Sequence, residues 1–331
     1  MAQRSVIVFV VACLVVLIAI SFFFARTATA VLPKAVLRLV ASAPVPPPGT
    51  AAKPDRESRP ARTAPQPPPD PAALKAVLSR VNYDLPSVVL GHEKVPRVFA
   101  PSLPDVLNDI HEAQLRKDIF VKLVLPLVLR VNEEILLERQ RLLAFRHVQR
   151  LGGKLNAADT HWLQRLATRY GGSAGSAGDL DDLLDRVDII PPSLALAQAA
   201  KESGWGTSRF VREGNALFGQ WIYADGHLVP LRSDDGKNHS VQRFQHLLDC
   251  VRAYVLNLNA NRHYREFRSL RAQLRKRGVA LDGVELVGKL ARYSEQGATY
   301  VDRLRTLIHS NQLRRLDGAR LDLSEIAALS G

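Results

Sequence analysis

The chain has 331 residues, 47% of them hydrophobic, which is enough to bury the core of one large domain or two modest ones. Its formal net charge of +13 favours anionic partners: nucleic acid, an anionic membrane surface or an acidic polymer. No nucleic-acid-binding fingerprint and no aromatic-rich basic strand accompanies that charge, and the two widely separated cysteines, Cys13 and Cys250, exclude a disulfide framework.

The first element in chain order is apolar. Residues 6–24 form a nearly unbroken hydrophobic run between Arg4 and Arg26. A bilayer span needs about 20 apolar residues and a signal-peptide core about 7–15. The run therefore predicts an uncleaved N-terminal anchor with its short amino end inside and the bulk exported. Ala28-Thr29-Ala30 nevertheless has the small-x-small form of a cleavage site, so residues 1–30 are an anchor or signal segment. Residues 31–95 are expected to be a Pro/Ala-rich linker and irregular lead-in. Pro44-Val45-Pro46-Pro47-Pro48 and Pro65-Gln66-Pro67-Pro68-Pro69 favour extended polyproline II, a spacer of about 3.1 Å per residue. Residues 74–105 are mixed and prolyl, which predicts irregular backbone. Residues 96–331 are then the folded domain.

Residues 115–147 predict a helix, because Ile119, Leu123, Leu127, Val131, Ile135 and Leu142 recur near helical spacing. Pro126 should kink or split it. The pairs Glu133-Glu134 and Glu138-Arg139 read as a solvated face. Asn156 should cap a short helix, with Asp159 three residues on and Trp162, Leu163 and Leu166 as its apolar side. Residues 171–178 (GGSAGSAG) predict a flexible loop, with Asp179 capping a further helix to Arg186.

Residues 191–221 hold the densest pattern, PPSLALAQAAKESGWGTSRFVREGNALFGQW. Two prolines suit a first helical turn. The small apolar residues that follow predict a buried helix. Glu202 leaves its far end, and Gly204 is placed to close it in a left-handed conformation. A carboxyl in apolar surroundings has its charged form disfavoured, so its pKa rises, which is the preparation a general acid needs. The periodicity then changes. Asp225-Gly226 and Asp235-Gly236 are turn signals among Trp221, Tyr223, Leu228-Val229 and residues 241–244, and predict a small antiparallel sheet. From His246 helices return: Leu247, Leu248, Val251, Tyr254, Val255 and Leu258 line one apolar face, with Cys250 as a small core residue. Residues 264–277 are basic, and Arg265, Arg268, Arg271, Arg275, Lys276 and Arg277 read as a solvated face. Residues 284–291 and 300–313 predict the last helices, with a loop at 292–298 between them.

Gln198-Ala199-Ala200-Lys201-Glu202-Ser203-Gly204-Trp205-Gly206, followed by Asn215-Ala216-Leu217-Phe218-Gly219, resembles the signature of the glucosaminidases of glycoside hydrolase family 73. Among these it is most similar to the Bax-type bacterial proteins, from about Pro96 to Leu316. That stretch includes Gly219-Gln220-Trp221, residues 252–259 and Tyr293-Ser294. The resemblance implies an α+β, mostly α, class: a lysozyme-like helical domain with a small antiparallel β-hairpin lobe. It also implies cleavage of N-acetylglucosaminyl bonds in peptidoglycan. Lys201 departs from the small or acidic residue more common before the Glu.

Glycoside hydrolysis needs one protonated carboxyl at the leaving oxygen and a second carboxylate as base or nucleophile. Glu202 is the acid candidate. The resemblance implies that the second comes from the hairpin, where Asp225, Asp234 and Asp235 stand. Asp235 is the first choice, with Asp234 behind it. The separate hairpin leaves room for a water between the carboxyls, as in an inverting enzyme. Tyr293 matches a family tyrosine that faces the reaction centre. Gln198, Ser203 and Asn215 belong to the motif and are expected at the substrate; Trp205, Phe218, Trp221 and Tyr300 are candidates to stack on sugar faces. The nine histidines lack metal-ligand spacing and no phosphate loop is present, so neither metal nor cofactor is expected. Two other readings stay open: a lytic transglycosylase using Glu202 alone, and a non-catalytic peptidoglycan-binding module. The expected partners are peptidoglycan strands and, through residues 1–30, the inner membrane, which places the domain in the periplasm. The arginine cluster would suit the carboxylates of peptidoglycan stem peptides.

Overall fold

A computed structural model of the protein describes residues 71–218, 221–224, 227–230 and 243–323, the strand residues 221–224 and 227–230 as backbone alone. These belong to a compact unit, Gln66–Gly331. The hydrophobic run at 6–24 lies outside the described residues, among which no helix is long and apolar enough to cross a membrane.

The expected irregular lead-in is instead partly helical. Helix α1 spans Pro71–Arg80 and α2 spans Leu85–Leu90. The side chain of Asp84 accepts from the Ser87 N–H, and Gly91 closes α2 at φ 76°. Val81, Tyr83, Val88 and Val95 are buried in the same core as the rest, so the packed body begins before Pro96. Val95 also forms a parallel bridge with Leu321, with N–H···O bonds of 2.9 and 2.8 Å.

Helix α3, Ala113–Arg150, is continuous, so Pro126 does not split it. Proline removes the N–H that would bond the carbonyl four residues back, on Lys122. The Tyr83 hydroxyl donates to that carbonyl at 3.1 Å. The lead-in thus repairs the helix it packs on. Phe120, Val124, Leu125, Leu127 and Val128 are fully buried in its middle. Its charged pairs are ties to other elements, contrary to the expected solvated face. Glu133 makes a bidentate bond to Arg97 at 2.7 and 3.0 Å. Glu134 does the same with Arg252 at 2.7 and 3.0 Å. Glu138 accepts from Arg169 and from the Tyr170 hydroxyl.

Helices α4 (Ala157–Tyr170) and α5 (Ala177–Arg186) follow. Asn156 caps α4 as expected, accepting the Asp159 N–H at 2.8 Å. In α5 the cap is Ser176, with Asp179 as its reciprocal partner in a capping box. Helix α6, Pro192–Ser203, is surrounded by α3, by helices α10 (Gly283–Val287) and α11 (Ala298–Ser310), and by a final 3-10 turn at Leu313–Leu316. Helix α7 spans Arg209–Gly214, and helix α8 spans Leu247–Ala260. Cys250 in α8 is buried; its sulfur accepts from the Leu217 N–H, and burial pushes the thiol up to about 12.

Strands β1 (Trp221–Ala224) and β2 (His227–Pro230) pair antiparallel, Trp221 opposite Pro230 and Ala224 opposite His227. That is the two-residue spacing the Asp225-Gly226 signal predicts. Residues 225–226 and 231–242 lie outside the described residues, so the pairing establishes a ribbon and not a lobe. Phe244 is not in a strand; its N–H donates to the Gly214 carbonyl.

The basic helix α9, Arg265–Lys276, overturns the expected solvated face at two positions. Arg268 and Arg271 are 5% and 0% exposed. Arg271 donates to the carbonyls of Asp185, Arg186, Asp188 and Ile189 and to Asn259 Oδ1, closing the C-terminal end of α5. Arg139 reaches the Leu184 and Val187 carbonyls at the same end. Arg268 serves the carbonyls of Leu258 and Asn261 at the C-terminal end of α8. Guanidinium groups suit this work because carbonyls at a helix C-terminus lack helical partners and carry partial negative charge. Burial pushes both Arg268 and Arg271 down to about 10. Arg275 completes the cluster with a bidentate bond to buried Asp188 at 2.9 and 2.8 Å. Burial pulls the Asp188 carboxyl up, but that bond and the surrounding arginines outweigh it and hold it below the usual range.

The Tyr83–Lys122 bond is testable by a double-mutant cycle. Tyr83→Phe leaves a part-buried carbonyl without that donor and should cost about 1 kcal/mol in urea unfolding. Pro126→Ala restores the helical N–H, so the same Tyr83→Phe change should cost much less in that background. Equal costs in both backgrounds would separate Tyr83 from Pro126.

Candidate active site

Helix α6 carries the site, and its sequence explains its placement. Pro191 and Pro192 occupy the cap and first positions, so no local side chain caps this end. The cap comes from Asp317. Its carboxylate accepts from the Ser193 N–H and hydroxyl, both at 2.8 Å, and from the Gly283 N–H at 3.3 Å. Gly283 allows the approach: a Cβ there would meet Ser193 Oγ at 2.1 Å. Burial raises the Asp317 pKa to about 6, against the opposing hydrogen bonds from Ser193 and Gly283.

At the other end Gly204 closes α6 at φ 60°, ψ 42°. The turn continues left-handed through Trp205 (φ 59°) and Gly206 (φ 86°). Gly206 also has no room for a side chain, since a Cβ would stand 2.8 Å from Leu103. A tryptophan at positive φ costs on the order of 1 kcal/mol. The edge-to-face contact of its indole with Phe120, centroids 5.6 Å apart, offsets that cost. Lys117 Nζ lies 5.3 Å from the indole centroid. Ser203 is fully buried and ties the turn, donating to the Ala199 carbonyl at 2.6 Å and accepting from the Gly206 N–H at 3.0 Å.

Glu202 is half-buried at this rigid end. Burial raises its pKa, while a hydrogen bond from Tyr300 and the charge of Lys201 draw it back; the net shift is upward. Behind it stands a wall of buried rings. Tyr300 stacks on Tyr293 (5.6 Å, 11°) and Tyr293 lies tilted on Tyr264 at 6.1 Å. Phe218 stacks on Tyr254 (3.8 Å, 7°). The Tyr293 hydroxyl donates to the Phe218 carbonyl at 3.0 Å. Gln198, one turn before Glu202 on α6, accepts from the Tyr254 hydroxyl at 2.7 Å and donates to the Tyr300 oxygen at 2.9 Å.

The structure therefore gathers Glu202, Gln198, Tyr300, Tyr293 and Phe218, but it changes several expected roles. Gln198, Ser203, Phe218 and Tyr300 are 0%, 0%, 3% and 1% exposed, so none offers a face to a sugar. Gln198, Phe218 and Tyr300 are tied into the ring wall, and Ser203 into the turn after Glu202. Burial raises the Tyr293 phenol well above 10, followed in effect by Tyr300, Tyr254, Tyr264 and Glu202. Tyr293 is a buried wall residue whose hydroxyl donates to the Phe218 carbonyl, and Glu202 is among the groups that act on it. Asn215 ends α7 at φ 54° and donates to the Phe244 and Gln245 carbonyls at 3.0 and 3.2 Å, joining the two ends of the segment that carries the strands. Trp205, three residues after Glu202 in the chain, is half-exposed. Trp221 is placed as backbone only, and Asp225, Asp234 and Asp235 lie outside the described residues. No described group of His, Cys, Asp and Glu is gathered so as to hold a metal ion. Sequence reasoning gave Tyr254 only a packing role. A tyrosine on an otherwise apolar helix face was the available signal, because its buried hydroxyl needs a partner.

Residues 178–313 match the glucosaminidase family, described as mannosyl-glycoprotein endo-beta-N-acetylglucosaminidase. The chain is 34% identical over 215 residues to Protein bax of Escherichia coli (strain K12), an alignment that covers 64% of this chain and 75% of that protein. No solved structure matches the chain.

Asp317→Ala should remove the cap of α6 and cost about 1–2 kcal/mol in denaturant unfolding. The folded pKa of Asp317, about 6, exceeds its ordinary 3.8, so the native state holds this proton more tightly. That contribution is fully present below about pH 4 and is lost as pH rises through about 6. The stability gap between wild type and Asp317→Ala should thus be wider near pH 4 than at pH 7. A gap that widens with pH would contradict the buried carboxyl.

Proposed function

This chain belongs to the Bax-type glucosaminidase family, a family of glycoside hydrolases, and from that premise we propose that it hydrolyses peptidoglycan at the β-1,4 bond after N-acetylglucosamine. The observation that carries this reading is the half-buried Glu202, raised by burial, at the end of a helix held at both ends. Protonated Glu202 gives its proton to the glycosidic oxygen as the carbon–oxygen bond breaks. A water attacks the anomeric carbon, and a second carboxylate takes its proton. Asp235 is the proposed base, with Asp234 the next choice and Asp225 the third. The strand ribbon 221–230 supports a hairpin lobe that would carry this base over a lysozyme-like helical body. The half-exposed Trp205, with Trp221 and Asn215, is the proposed contact for the glycan. Residues 1–30 are the proposed inner-membrane tether, and residues beyond it a spacer into the periplasm.

A lytic transglycosylase remains the second reading, because no carboxylate stands among the described groups that act on Glu202. Purified peptidoglycan should be digested and the products reduced. Reduced N-acetylglucosamine ends support hydrolysis, anhydro-muramyl ends support the transglycosylase, and no products support a binding module. Glu202→Gln should lower the rate by about 10²–10⁴-fold with the fold retained. In the wild type the rate should fall as pH rises through the raised pKa of Glu202, since the acid must be protonated. More than a tenth of the wild-type rate in Glu202→Gln would remove it as the acid.

Asp235→Asn should also lose most of the rate with little change in melting temperature. Near-normal Asp235→Asn beside an inactive Asp234→Asn moves the base by one residue. Activity in both leaves the segment without a catalytic carboxylate.

A further inference from the structure

We propose that Lys117 and Lys201 form a cationic rim at the Glu202 end of helix α6 that binds the carboxylates of the stem peptides on a peptidoglycan strand. Both are specificity-determining residues, and the inference rests on the reading of that polymer as the substrate.

The arginines of α9 that would suit an acidic polymer are spent inside the fold. Arg271 and Arg268 bind helix-end carbonyls, and Arg275 holds Asp188. The lysines near Glu202 are different. Among the described residues neither Lys117 nor Lys201 forms an ion pair, whereas Lys289 pairs with Glu266 at 3.6 Å. Lys201 directly precedes Glu202, yet adjacent side chains on a helix do not face each other. Its ammonium lies 5.9 Å from the Tyr300 ring centroid. Lys117, on α3, has its ammonium 5.3 Å from the indole centroid of Trp205, three residues past Glu202. Asp118, next to Lys117, is engaged by the Gln114 amide at 2.8 Å.

A ring face holds an ammonium in place without neutralising it. Both lysines are half-buried, and each ammonium keeps donors for an anion. Helices α3 and α6 thus each bring one such cation to the segment 201–205, which also carries the acid. A neutral glycan gives these cations no partner. A peptide-bearing strand presents carboxylates beside every second sugar. Burial raises the Glu202 carboxyl and the Lys201 charge draws it back. A substrate carboxylate seated on Lys201 offsets that opposition.

The test uses the full chain carrying Glu202→Gln, so that binding is read without turnover. Cosedimentation with insoluble peptidoglycan is measured on native polymer and on polymer whose carboxyls have been amidated with carbodiimide and methylamine. Lys201→Gln and Lys117→Gln should each weaken binding to the native polymer by about fivefold, the upper end for a partly exposed ion pair. Neither change should matter on the amidated polymer, and Lys201→Arg should bind as the parent does. Lys154→Gln removes the same charge from an exposed position after α3 and should leave binding unchanged. Thermal melting verifies folding; if Lys201→Gln does not fold, Lys117→Gln decides. An equal loss in Lys154→Gln, equal losses on both polymers, or undiminished binding by the folded variants overturns the rim. Digestion is then read with Glu202 intact. Carboxylate-dependent binding without digestion sustains the rim and refutes the hydrolase reading, and digestion without carboxylate dependence overturns the rim alone.

Discussion

The carboxylate of Asp317 meets the first N–H groups of the helix that ends in Glu202. A helix opening on Pro191-Pro192 has no side chain of its own with which to cap. Its residues are small and apolar, so neighbours close in on every side and water cannot reach the free N–H groups. A distant acid is the remaining solution, and Gly283 makes room for it. The same logic recurs elsewhere. Arg271 and Arg139 close the far end of α5, and Tyr83 serves the carbonyl that Pro126 leaves open. Helix ends and breaks in this fold are completed by side chains from remote parts of the chain. The rigidity of the Glu202 position follows from that.

Much of the site was legible because its signals are local. The Pro-Pro start, the apolar run, Glu202 and the Gly204 turn all sit within a few residues, and the backbone obeys them. Gly206 was legible as part of a motif but not as a packing constraint, since Leu103 and Phe120 press on it from elsewhere. What stayed hidden has a common physical cause: the partner lies far away in sequence. Arg268 and Arg271 look like solvent-exposed charge when only their own helix is read. They are buried because two helix C-termini converge on them. Glu133, Glu134 and Glu138 misled in the same way, each finding an arginine on another element.

The aromatic residues show the other side of this limit. Tyr300 and Phe218 have the composition of sugar-stacking platforms, and type alone does not separate a platform from a wall. Burial does. Phe218 stacks on Tyr254 and Tyr300 on Tyr293, so each ring is spent on another ring of the wall. The open indole of Trp205 is different in kind. Its backbone is left-handed, and the indole is half-exposed, edge-to-face with Phe120 and near Lys117.

The bridge between Val95 and Leu321 bears on how the molecule comes into being. Pairings between segments so remote in sequence close large loops and form late. Asp317 arrives with the same late segment. A chain that has emerged only as far as Trp221 already contains the whole Glu202 motif, yet α6 still lacks its cap, its Gly283 contact and the Tyr300 oxygen that Gln198 bonds. Glu202 therefore gains its full surroundings only when the last part of the domain has docked, and a truncated or nascent chain carries the signature without the packing that holds it.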